Sequence, residues 1–269
     1  MKALEDVLTR QAKWAMVQGE MLSALRALPS ASVDALVCDP PYSSGGTFRG
    51  DRMTDTTHKY VRNGSATRRP DFAGDNRDQR SFAYWCALWL SECLRIARPG
   101  AMACLFTDWR QLPSTTDALQ AGGWVWRGIV PWDKTEAVRP QLGRPRAQCE
   151  YVVWGSAGPM NGREALGVLP GIIRERVHLD DKHHIAGKPV EVMQQLARYC
   201  VPGGVILDPF AGSASTGVGA LREGRRFIGV EIEPYWHQVA CARLAAEADG
   251  LKLRDAQAGQ LPLLRGVSP

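Results

Sequence analysis

Asp39-Pro40-Pro41-Tyr42 is the stretch whose residue types are best suited to chemistry. It follows Val33 to Cys38, an apolar, β-branched run that reads as a buried parallel strand. Two prolines stop that strand and stiffen the corner beyond it. Pro41 has no N–H, and Pro40 is pushed toward extended geometry by the proline after it. The carboxyl ends of strands are where open α/β sheets bind ligands. Such a corner offers the Asp39 carboxylate, the Pro40 carbonyl and the Tyr42 ring. Together they suit a flat ring bearing an amino group, with two acceptors for its hydrogens and a face to stack on.

A second strand-end candidate lies late in the chain. Val205-Ile206-Leu207 runs into Asp208-Pro209-Phe210-Ala211-Gly212-Ser213-Ala214-Ser215-Thr216, which opens a helix over 216–223. Small residues in a strand-to-helix turn let a ligand approach the backbone, and a helix N-terminus favours an anionic group. The turn is neither a G-x-G-x-x-G fingerprint nor a Walker loop. The next strand, 226–230, ends in Glu231, placed to accept hydrogen bonds from ribose hydroxyls.

The elements that must position these two corners follow from periodicity. Strand–helix–strand rhythm at 15–17, 21–28 and 33–38 predicts a parallel sheet. Ser81 to Arg98 predicts a helix with Phe82, Trp85, Trp89 and Cys93 inward, its tryptophans read as core, and Pro99-Gly100 ending it. Strands are expected at 101–107, 124–132 and 150–155, with a short helix closing at 119–123. Lys188 to Cys200 reads as a helix with Pro189 in its first turn, and 235–249 as a closing helix before a tail. The expected fold is α/β, a mostly parallel twisted sheet with helices on both faces, in one domain spanning 1–269. Residues 43–80 break the rhythm and read as a mobile basic insertion after the first corner. It carries Arg49, Arg52, Arg62, Arg68 and Arg69, and is either a lid or arm over a phosphate backbone or a solvated loop. Residues 135–148 form a polar loop with Arg139 and Arg144, and 156–187 an irregular stretch.

Composition narrows the class. The chain has 269 residues, 45% of them hydrophobic, and a net charge of +5, which is compatible with nucleic acid. Seven scattered cysteines form no C-x-x-C pair and read as reduced core thiols of a cytoplasmic protein. The adjacent His183 and His184 lack partners at ligand spacing, so no metal is expected. No apolar run reaches membrane-spanning length.

These motifs resemble those of the β-class amino-directed DNA methyltransferases. The D-P-P-Y corner matches that family's motif IV and D-P-F-A-G-S its motif I. G-V-E-I-E-P is similar to motif II, and the Lys188-Pro189 start to motif X, in the β-class order. Three departures stand out: Glu20 where the family more often has Asp, Ala214 where Gly is common, and a short segment between Trp154 and Lys188 where this class carries its target-recognition region. The resemblance implies a Rossmann-like methyltransferase fold and S-adenosyl-L-methionine as cofactor. Cofactor contacts would come from Glu20, Asp39, Lys188, Asp208, Phe210, Ala211, Gly212, Ser213, Thr216 and Glu231. Catalysis would fall to Asp39, Pro40, Pro41 and Tyr42, acting on adenine N6 of a base flipped out of double-stranded DNA. Arg49, Arg52, Arg62, Arg68, Arg69, Arg139 and Arg144 would contact DNA. The segment 156–187 would be a short target-recognition region, and the chain a homodimer. The alternatives are cytosine N4 as target, an RNA or protein substrate, and a catalytically silent DNA-binding module.

Overall fold

The computed structural model describes residues 2–43, 77–138, 140, 142–177 and 187–251. Arg49, Arg52, Arg62, Arg68, Arg69, Arg139, His183 and His184 lie outside the described residues, as does most of the expected insertion. The chain runs α1 (Lys2–Leu8), β1 (Trp14–Gln18), α2 (Met21–Arg26), β2 (Val33–Cys38), α3 (Gln79–Ile96) and β3 (Ala97–Thr107). It continues through α4 (Leu112–Ala121), β4 (Val125–Asp133), β5 (Cys149–Ser156) and β6 (Ile173–Arg174). It ends with α5 (Val190–Ala197), β7 (Val205–Asp208), α6 (Ser215–Arg222), β8 (Arg226–Glu231) and α7 (Pro234–Ala248).

The eight strands form one sheet in the order β1-β8-β7-β2-β3-β5-β4-β6. All neighbouring pairs are parallel except those of β5, which runs antiparallel to both β3 and β4. Apolar side chains cover both faces. Leu4, Leu25, Phe82, Trp89, Ile96 and Leu119, from α1 to α4, pack on one. Val192, Leu196, Val218 and Leu244, from α5 to α7, pack on the other. The expected doubly covered, mostly parallel sheet is therefore present. It explains why β2 reads as a continuous apolar run: five of its six residues are buried. The sixth, Asp34, serves as a joint. It accepts from Arg98 Nη1 (2.7 Å) and from the Val205 backbone N–H (2.8 Å).

The strand order reverses direction between β7 and β2. From β7 the chain crosses to β8 on one side, and from β2 it crosses to β3 on the other. Such a switch point leaves a crevice beyond the carboxyl ends of the two central strands, where both sequence-predicted corners meet.

Several boundaries differ from the sequence expectation for local reasons. Helix α3 starts at Gln79 because Asp78 caps it, accepting from the Arg80 and Ser81 N–H groups (both 3.0 Å). It stops at Ile96, two residues early, because Arg98 precedes a proline and must be extended. Consequently β3 begins at Ala97, where it pairs with Val33, and not at Ala101. Helix α5 covers Val190–Ala197 and not 188–200, with Pro189 as an extended N-cap. This leaves Lys188 outside the helix. The stretch from 156 is not wholly irregular: it holds a 3-10 turn at Glu164–Leu166, and β6 pairs with the end of β4.

Candidate active site

The crevice is a cavity of about 510 Å³. The D-P-P-Y corner, Lys188, the Asp208–Thr216 turn and the β8 tip all line it, as do Gly19 and Glu20 from the β1 end. Every residue predicted for catalysis or for the cofactor thus borders one space.

At the D-P-P-Y corner the side chains form one closed polar network. Lys188 Nζ lies 2.7 Å from Asp39 Oδ2 and 3.3 Å from Glu150 Oε2. The Tyr42 hydroxyl reaches Asp39 Oδ1 (2.8 Å) and Glu150 Oε2 (3.2 Å). Lys134 Nζ donates to the other oxygen, Glu150 Oε1, at 3.2 Å. The Lys188 ammonium also sits 5.1 Å from the Tyr42 ring centre and 5.2 Å from that of Phe106, within cation–π range. Its side chain is only 8% exposed. Burial pushes Asp39 up, partly opposed by Lys188 and reinforced by Glu150. Burial works against the Lys188 charge, yet Asp39 and Glu150 outweigh it and hold the ammonium above its usual range. Glu150 is likewise pushed up by burial but held below its usual range by Lys188 and Lys134.

At the second corner Asp208 is 1% exposed, and its oxygens are spent on the turn. Oδ1 accepts from the Phe210 N–H (2.9 Å) and Oδ2 from the Thr216 hydroxyl (2.6 Å). Burial raises its pKa to about 7 against those two hydrogen bonds, with the Asp39 and Glu231 charges adding to the rise. Asp208 thus shapes the turn that a ligand meets. Glu231 ties the same turn to β8, accepting from the Gly212 N–H (2.8 Å) and the Glu233 N–H (2.9 Å). Gly212 has φ +51°, and a Cβ there would meet no atom within 4 Å. Backbone faces open cavity at that point, as a ligand-binding turn requires. Ala214 is left-handed as well (φ 60°, ψ 39°), a strain that a glycine avoids. Glu20 caps α2, accepting from the Leu22 and Ser23 N–H groups (3.0 and 2.9 Å).

The acidic lining (Glu20, Asp39, Glu150, Asp208, Glu231 and Glu233) outnumbers the basic groups Arg77 and Lys188. That balance and the open Gly212 turn fit a ribose-bearing cation such as S-adenosylmethionine. All seven cysteines are free, and none lines the cavity. Burial drives the thiols of Cys86, Cys104 and Cys200 up to about 12. Among the described residues, no His, Cys, Asp and Glu cluster of metal-binding size occurs. No described helix is long and apolar enough to cross a membrane. Arg144 is exposed on its loop, away from the cavity lining.

Three site residues escape the sequence reading, Glu150, Lys134 and Trp85, while Arg77 belongs to the expected basic insertion and lines the cavity. Glu150 opens a strand taken as one more apolar run. Because β5 is antiparallel, its beginning lies at the sheet edge where the parallel strands end, opposite Trp132 in register. Trp89 is core as expected, but Trp85 lines the cavity. The Arg77 guanidinium lies 4.2 Å from its ring centre, and Phe210 packs beside it at 5.4 Å.

Comparison with known proteins places this geometry. The N6/N4 DNA methylase family model matches residues 170–241, the stretch holding Lys188, the Asp208 turn and Glu231. YubD of Escherichia coli (strain K12), named as a methylase, is 30% identical over 233 residues, covering 86% of this chain and 89% of its own. Among solved structures, TTHA0409 from Thermus thermophilus, a DNA modification methylase by its name and complexed with S-adenosyl-L-methionine, superposes with a TM-score of 0.61. That match has 22% identity and covers 90% of this chain and 98% of the other. PvuII DNA methyltransferase, cytosine-N4-specific, gives a TM-score of 0.61 at 16% identity, covering 86% of each chain. The likeness to the two structures shows the fold, and the relationship to YubD carries the family. This chain belongs to the N6/N4 DNA methylases, whose methyl donor is S-adenosyl-L-methionine.

Proposed function

We propose that the chain methylates adenine N6 of a base flipped out of double-stranded DNA, using the D-P-P-Y corner. The observation that carries this reading is the position of Asp39 and Pro40: at the switch point, in one cavity with the Gly212 turn and Glu231. The aspartate in the corner leans to adenine within the family, where serine leans to cytosine.

An exocyclic amino nitrogen is a weak nucleophile because its lone pair is delocalised into the ring. Hydrogen bonds from its two hydrogens to the Asp39 carboxylate and the Pro40 carbonyl favour a pyramidal nitrogen with a directed lone pair. That is catalysis by positioning and preorganised electrostatics. The bound cofactor supplies an electrophilic methyl group on a sulfonium. As the N–C bond forms and the S–C bond breaks, the nitrogen sheds a proton. Asp39, its affinity for protons raised by burial, is placed to take it and pass it to water. The Tyr42 ring, held by its hydroxyl, gives the extruded base a stacking face. No covalent adduct with the protein is needed, in keeping with a cavity that no cysteine lines.

In this reading Arg49, Arg52, Arg62, Arg68, Arg69, Arg139 and Arg144 lie along the DNA backbone, 156–187 takes part in target recognition, and the enzyme is a homodimer. The test is transfer of tritiated methyl to DNA, RNA and protein in parallel, followed by mass spectrometry of the labelled product. N6-methyladenine in DNA is the expected product. N4-methylcytosine would move the target to the other base, and label in RNA or protein alone would overturn the DNA reading.

A further inference from the structure

We propose that Glu150 is a positioning residue for methyl transfer: it is the second seat for the two donors that occupy Asp39 before the target base arrives. The proposal rests on Asp39 as the acceptor of the target amino group. In the structure both Asp39 oxygens are engaged, Oδ2 by Lys188 and Oδ1 by Tyr42. Each oxygen keeps a further acceptor position, so an incoming amino group competes with these donors for Asp39, and its hold on the carboxylate strengthens as either donor shifts away.

Yielding is unfavourable without a second acceptor. An ammonium as enclosed as Lys188, deprived of its carboxylate, is an uncompensated buried charge, the arrangement that makes breaking buried ion pairs so destabilising. The tyrosine has one proton, and a buried hydroxyl without an acceptor is also disfavoured. Glu150 removes both penalties. Its Oε2 is already 3.3 Å from the ammonium and 3.2 Å from the phenol oxygen, so each donor changes partner with a movement well under a bond length. Lys134 holds the opposite oxygen, Oε1, and keeps the carboxylate aimed at the pair. With two carboxylates and two ammonium groups the network is neutral, so a neutral base enters without leaving a net charge behind.

A purely structural ion pair would place Glu150 against one partner. Here one carboxylate oxygen faces the same two donors as the catalytic aspartate, from a strand on the far side of them. Glu150 also bears on Asp39 electrostatically. Facing Asp39 are the Lys188 ammonium before α5, the Glu150 carboxylate of β5, the Tyr42 phenol after β2, the Asp208 carboxylate at the β7 tip and the neighbouring Cys38 thiol. Glu150 raises the proton affinity of Asp39. Removing its charge therefore lowers it, and Asp39 stays ionised to lower pH.

Glu150→Gln keeps the shape and removes the charge. Measured with saturating DNA and cofactor, its kcat should fall by about tenfold or more, the scale of coupling within a shared network. Its cofactor affinity by calorimetry should fall several-fold less than kcat does, since Glu150 is one of six acidic groups in the lining and shares no hydrogen bond with the Asp208 turn. The acidic limb of its kcat–pH profile should move to lower pH. Glu150→Asp, which keeps the charge, should recover part of the rate. Wild-type kcat in Glu150→Gln overturns the proposal. So does a fall in rate together with cofactor affinity and an unmoved acidic limb, because that pattern marks a prop. An unaltered chain that transfers no methyl to DNA overturns both this proposal and the reading of Asp39. Transfer by the unaltered chain with an indifferent Glu150→Gln overturns the proposal alone.

Discussion

Glu231 stands at the tip of β8 with both carboxylate oxygens accepting backbone N–H groups, yet it lines the cavity. A carboxylate has about four acceptor positions, so capacity for ribose hydroxyls remains. Burial raises its pKa, which the N–H groups of Glu233 and Gly212 partly offset. Glu231→Ala should weaken cofactor binding by about 1–3 kcal/mol, the range for a lost partner to a buried polar group, read by calorimetry. Unchanged affinity would mean that Glu231 only ties the turn to its strand. Glu231 was legible because an acidic residue after an apolar strand is a local pattern. The same holds for Asp39 and for the small residues around Gly212. Glu150 was not legible: its placement depends on β5 being antiparallel, which residues 149–156 alone do not reveal. Trp85 was assigned to the core because periodicity names the apolar stripe of α3 and not the point where that stripe meets the cavity.

At the scale of elements, α3 carries more than its core stripe. Phe82, Trp89, Cys93 and Ile96 face the sheet, while Tyr84 and Leu88, one turn apart, are 69% and 41% exposed. In the homodimer we propose, these two outer residues would meet a second copy of the chain, whereas Trp85 lines the cavity and Trp89 is buried in the core. A stable dimer buries about 800 Å² per partner, far more than two side chains supply, so α3 would be the centre of a larger patch. Tyr84→Arg combined with Leu88→Arg should convert a dimer to a monomer in light scattering with and without DNA. A wild-type monomer under both conditions would end the dimer proposal. Element types followed the periodicity closely, whereas boundaries moved by two to four residues wherever Asp78 capped or Pro99 and Pro189 imposed extended backbone. The shift at Pro189 has a chemical consequence. Lys188 stands just before the helix, and from there its side chain reaches Asp39.

At the scale of the molecule, two corners separated by 169 positions in sequence form one cavity because the strand order reverses between β7 and β2. The sequence order of the motifs pointed to this family. The antiparallel β5 and the pairing of β6 with β4 needed the sheet itself. We propose that the work within that cavity is divided: Asp39 would act on the target amino group while the Asp208 turn and Glu231 would hold the cofactor. The most direct test compares Asp39→Ala with the unaltered chain on two readouts, methyl transfer to DNA and calorimetric cofactor affinity, after thermal unfolding shows that the variant is folded. Glu150 remains beside Lys188 to pair the buried ammonium, so the variant should fold. Transfer should fall by at least about 10²-fold, as for loss of a group acting in the transition state, while cofactor affinity stays within a few-fold of the unaltered chain. Near-normal transfer by Asp39→Ala would contradict this division of roles.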